Sequence, residues 1–231
     1  MFRTLLHLNW KSARLGLLPF LIAAFALPIL SVQRITLQPG IPESASVRAS
    51  QLLFTLQFWT PVFPALAFAL GTVLALLVWN WDHRGDHVYP LTLPLSRPRY
   101  VGLKMGTGAL LLLFPVFLFW IGSLLATSFT EIPEGLRAYP NAIAFRFLLA
   151  ALIAYAVFFA LASGTMRTAI LLLTTLVALM ILGELVPSFL GGLLGHEAVR
   201  DFSLMEWLLH SSLEWPGPFQ VYSGNWMLID V

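Results

Sequence analysis

The sequence predicts an all-α membrane protein: an N-terminal interfacial helix followed by five to six transmembrane helices. Three observations carry this prediction. Of the 231 residues 58% are hydrophobic and 10% charged, too little charge to cover a soluble domain of this size. The mean hydropathy is +0.83. The apolar residues gather into runs of about 20, the length that crosses a bilayer core of roughly 30 Å. Short polar or Pro/Gly-rich segments separate the runs, as adjacent antiparallel helices in one domain over residues 1–231 require. A net charge of +2 on this apolar background excludes nucleic acid as a partner. With no cysteine, disulfides and Cys-ligated metal are excluded too.

Residues 1–14 carry two opposed stripes at helical spacing. Phe2, Leu5, Leu6, Trp10 and Ala13 form one, and Arg3, His7, Lys11 and Arg14 the other. Such a helix lies in the bilayer interface, its basic groups among lipid headgroups. Apolar runs follow at about 15–33, 52–80, 101–129, 141–163 and 168–190. The first holds Pro19 and Pro28, which neighbouring helices accommodate in a membrane. Its Ala24-Phe25-Ala26 has the form of a signal-peptidase site, but Pro28 and the long leader argue against cleavage.

Segments 34–51 and 129–140 are expected as loops on one side, and residues 163–168 as a tight turn on the other. Gly191-Gly192 ends the fifth run. In the segment 191–231, Ser203 and Glu206 have capping-box spacing, so a short helix over about 204–214 is expected at the interface with Trp207, Trp215 and Trp226 nearby. No sixth apolar run follows.

Positive charge sets the orientation. Eight of the 13 Lys and Arg residues fall on the amino-terminal side, and eight of the 11 acidic residues on the other. The amino terminus is therefore placed in the cytoplasm and the chain in the plasma or inner membrane, multi-pass.

Few residues offer chemistry. No phosphate-binding Gly-x-x-x-x-Gly-Lys-Ser/Thr loop is present, nor His-Glu-x-x-His, nor Gly-x-Ser-x-Gly, so neither ATP hydrolysis nor a familiar membrane hydrolase is expected. His83 and His87, four apart and beside Asp82 and Asp86, have the spacing of a metal pair on one helix face, though Gly85 sits between them. A membrane enzyme at His83, His87 and Asp86 is one alternative reading, and a non-transporting scaffold or sensor another. Glu184 is the acid well inside a run, close to its outer end. Arg146 has the reach to snorkel to headgroups. Gly102 and Gly106, with Ala65, Ala67, Ala69 and Gly71, permit close helix approach within the chain or between copies.

The exceptional segment is 82–104. Asp82, Arg84 and Gly85 are followed by Leu91 and Leu93, then Pro94-Leu95-Ser96-Arg97, then Lys104. This pattern resembles the first cytoplasmic loop of ABC-2 type permeases, the membrane subunits of a class of ATP-driven exporters. Asp86 and Val88 depart from that family's usual threonine and glutamate. The resemblance implies an elbow helix at 1–14, a cytoplasmic coupling loop at 82–104 and six spans. It also implies a separate dimeric ATPase subunit that holds ATP and Mg, with no cofactor in this chain. A second permease copy or a related permease completes the export path, lined by the second and fifth spans. On this reading a short helix after Gly85 projects into the cytoplasm and Pro94 breaks it. Ser96 then caps the next helix, while Arg97, Arg99 and Lys104 rest near anionic headgroups. The apolar core suits lipids, hydrophobic drugs or peptides equally as cargo.

Overall fold

The structure, a computed structural model, describes residues 2–36, 45–84, 96–133, 135–164, 217 and 219–230, with Leu171, Thr174 and Ser211. Helix α1 runs unbroken from Phe2 to Thr36, about 52 Å at the rise of an α-helix. The basic segment 2–14 is thus not a separate helix; it is continuous with the apolar run that follows it. No helix breaker separates the two, and Pro19 and Pro28 are taken up inside the helix. The Pro28 carbonyl accepts from Ser31 Oγ at 2.6 Å.

Helix α2 (Ala45–Trp59) begins inside the segment expected to be a loop. It breaks at Thr60-Pro61, and α3 (Val62–Arg84) continues the run. The break is local. Pro61 has no N–H to bond back into α2, while its carbonyl starts α3 by accepting from Ala65 N at 3.2 Å. Helix α4 (Arg97–Ser128) starts one turn earlier than the apolar run and contains Pro115. After a turn at Gly135, in the left-handed region at φ +94°, the strand β1 (Arg137–Ala138) leads into α5 (Pro140–Ala162). Four helical stretches among the described residues are long and apolar enough to cross a membrane: 2–32, 52–80, 97–128 and 140–162. The chain is an all-α membrane protein by this measure. The expected fifth span at 168–190, the helix at 204–214 and Glu184 lie outside the described residues.

Residues 1–159 with 225–231 form one compact unit. Aromatic rings fill the middle of its core. Phe119 of α4 stacks on Phe147 of α5 at 4.2 Å and meets Phe63 of α3 edge-on at 5.4 Å. Glycines set the closest crossings. A Cβ on Gly122 would strike the Phe25 carbonyl of α1, one on Gly71 the Ala151 carbonyl of α5, and one on Gly108 the Tyr155 hydroxyl. Among the described residues the Gly102/Gly106 pair plays no such part, since nothing there lies within 4 Å of a Cβ at either position.

An unforeseen pairing closes this unit. Strand β2 (Ile229–Asp230) lies antiparallel to β1, with Arg137 opposite Asp230. The Tyr139 N–H extends the ladder to the Leu228 carbonyl at 2.9 Å. Residues 160–224 form a second unit. In it Ser163 Oγ donates to the Ala160 carbonyl at 2.7 Å as α5 ends, and the short helix α6 (Gln220–Ser223) follows a Tyr222-to-Phe219 backbone bond of 2.9 Å.

Candidate functional site: a buried clasp between two helices

The polar segment 82–104 is bounded by a cluster that its two flanking helices build together. Asp82 sits in the last turn of α3, one turn after Trp79. Tyr100 and Lys104 occupy the first turns of α4, and their spacing of four puts both on one face. Lys104 Nζ donates to Asp82 Oδ2 in a short ion pair, and the Tyr100 hydroxyl lies 3.2 and 3.1 Å from the two carboxylate oxygens. The ammonium also lies 4.4 Å from the centre of the Trp79 ring, a cation–π distance. Asp82 is 3% exposed and Lys104 2%.

The network continues toward α1. Thr107 Oγ1 donates to the Lys104 carbonyl at 2.9 Å and accepts from Asn9 Nδ2 of α1 at 2.8 Å. Asn9 and Thr107 are themselves buried. One acid, one base, a phenol, an amide and a hydroxyl therefore join α1, α3 and α4 through groups that satisfy each other. Each charge in it has its counter-charge in contact. Such an arrangement fixes the relative position of three helices.

Two residues singled out in the sequence, Asp82 and Lys104, meet here. Lys104 is not at the headgroups with Arg97 and Arg99; those two are exposed, whereas Lys104 points inward to Asp82. Ser96 does occupy the N-cap of α4, in extended conformation, but its side chain makes no capping bond. The helix starts instead through the Ser96 carbonyl, which accepts from Tyr100 N at 3.1 Å, with Pro98 in the first turn. Arg84 ends α3, and its side chain, with Gly85, Asp86, His87 and Pro94, lies outside the described residues, as does the side chain of His83. Among the described residues no group of three His, Cys, Asp or Glu side chains comes together.

Sequence reading missed Trp79, Tyr100, Asn9 and Thr107. Part of their signal was present: Thr107 is a polar side chain within an apolar run, and Trp79 and Tyr100 lie one helical turn from Asp82 and from Lys104.

A second polar cluster sits at the opposite end of α5. Arg146 donates to the Asn225 carbonyl and lies 5.6 Å from the Trp226 ring centre. Asn225 Nδ2 in turn donates to Asp230. Arg146 thus holds the segment before β2. Trp226 is 1% exposed, so it is a core residue rather than an interfacial anchor.

Comparison of the chain with protein-family models, with curated proteins and with solved structures finds no match.

Proposed function

We propose that this chain is the transmembrane permease subunit of an ATP-driven exporter of the ABC-2 kind, with its amino terminus in the cytoplasm. A separate ATPase dimer supplies ATP hydrolysis and docks on segment 82–104. A second permease copy or a related permease completes the path. The observation that carries this reading is the Asp82–Lys104 pair, which clasps the two ends of the docking segment.

The clasp gives coupling a physical route. A load applied between residues 83 and 103 reaches both α3 and α4, because the ion pair and the Tyr100 hydroxyl resist their separation. The Asn9–Thr107 bond carries the same displacement to α1. Exposed Arg97 and Arg99 lie at the cytoplasmic surface, available to acidic lipids or to the ATPase. The role left to Asp82 and Lys104 is transmission and not catalysis.

The test is purification of the tagged full chain from its own membranes, followed by assay of bound ATPase. Substitution of Gly85, Pro94 or Arg97 is expected to loosen ATPase attachment. The double variant Asp82→Asn/Lys104→Met, which strands no buried charge, is expected to leave attachment intact while ATP hydrolysis no longer drives export. If no ATPase accompanies the wild-type chain, the reading fails.

A further inference from the structure

Two grooves open on the outer face of α4 and meet there. One, of about 510 Å³, is walled by Arg3, Leu6, His7 and Trp10 of α1 and by Leu110 and Phe114 of α4. The other, of about 570 Å³, begins at the same Leu110 and Phe114 and runs past Phe117 to Trp120 and Asn141. Leu110 and Phe114 line both, so the two open grooves adjoin, the first cationic at Arg3 and His7 and the second apolar along its length. At the far end Trp120 Nε1 donates to Asn141 Oδ1 at 2.8 Å. The apolar wall is open, with Leu110, Phe114 and Phe117 all exposed.

Among the described residues no acid opposes the positive end. Neither α1 nor α4 contains a single Asp or Glu, and exposed Lys11 and Arg14 continue the charge along α1. Among the described residues the salt bridge is Asp82–Lys104, which leaves Arg3 without an acidic partner there.

We propose that these adjoining grooves bind one acidic phospholipid, its phosphate at Arg3 and His7 and an acyl chain along Leu110, Phe114 and Phe117. The Arg3 guanidinium can fork onto two phosphate oxygens, and the His7 imidazole N–H adds a donor one turn along α1. Trp10 packs against Phe114 with ring centres 5.9 Å apart, which sets an indole where head meets tail. A free phosphate would make no use of the apolar length, and an uncharged lipid none of Arg3.

The experiment is native mass spectrometry of the full chain released from detergent micelles, with phosphatidylglycerol, phosphatidylcholine and inorganic phosphate as probes. Phosphatidylglycerol should be retained over phosphatidylcholine. Arg3→Gln should weaken phosphatidylglycerol by about fivefold, the effect of one basic group near an anionic surface, and leave phosphatidylcholine unchanged. Leu110→Trp, which fills the apolar wall, should reduce both lipids. Equal retention of the two lipids by the wild-type chain overturns the proposal, as does phosphatidylglycerol binding indifferent to both substitutions. Displacement of the lipid by inorganic phosphate would reassign the site to a soluble anion. A dimer lost in Leu110→Trp, with lipid retention unchanged, would assign the groove to a second copy.

Discussion

Lys104 reaches back across 22 positions of chain to seat its ammonium on the Asp82 carboxylate, inside the protein and against the Trp79 ring. Removing one partner leaves the other charge buried and alone. Lys104→Met should therefore destabilise the chain by about 3–5 kcal/mol, whereas the double variant Asp82→Asn/Lys104→Met should recover most of that loss. Tyr100→Phe removes a neutral donor and should cost only about 1 kcal/mol. Thermal unfolding in micelles checks all three; strictly additive single effects would refute the clasp.

Asn9 and Thr107 offer a milder version of the same experiment. Asn9→Leu strands the Thr107 hydroxyl acceptor and Thr107→Val strands the Asn9 amide, each at a cost of about 1–3 kcal/mol. The pair changed together should be closer to wild type than either alone. A double-mutant cycle with zero interaction energy would mean that α1 and α4 are not held through this bond.

The glycines divide into two kinds. Gly108→Ala drives a methyl into the Tyr155 hydroxyl and should cost about 1–3 kcal/mol. Adding Tyr155→Phe should return part of it, even though Tyr155 then loses its 3.2 Å bond to the Met105 carbonyl. Gly102→Ala meets open space and should stabilise α4 by up to about 1 kcal/mol through helix propensity. A large loss at Gly102 and none at Gly108 would reverse this assignment.

Arg146→Gln removes both the donor to Asn225 and the cation over Trp226. An added endoprotease should then cut within residues 226–230 faster than in the wild-type chain, and Trp226 fluorescence should shift toward that of a wetter indole. Unchanged digestion kinetics would show that the β1–β2 ladder holds the segment by itself.

The membrane class and most helical stretches were legible because hydropathy at bilayer length is a strong signal, and the run 141–163 matches α5 within one residue at each end. Asp82 and Lys104 were also legible as special, but as exposed groups. The residue types cannot tell an outward-facing lysine from one that α3 and α4 turn toward an acid. The stripes of 1–14 marked a helix but not its extent: it continues into the first apolar run, and the side chains turned into the bundle are Leu5, Asn9 and Ala13, while Phe2 and Trp10 of the apolar stripe stay exposed. The Gly-x-x-x-Gly spacing of 102 and 106 was visible, but its face of α4 is not the one that meets α5; Gly108 is. Strands of two residues carry no period at all, so the β1–β2 pairing had no sequence signature.

That pairing imposes an order in time. Ala138 and Ile229 are partners separated by 91 positions (229 − 138), which the ribosome needs about 5–20 s to traverse. During that interval β1 is already made and has no strand to pair with. The helices through α5 can settle against one another first, and the ladder closes after them. Arg146, Asn225 and Tyr139 thus mark a late step in the assembly of this unit, and a newly made chain whose Tyr139 amide still exchanges freely with water is one that has not yet closed the ladder.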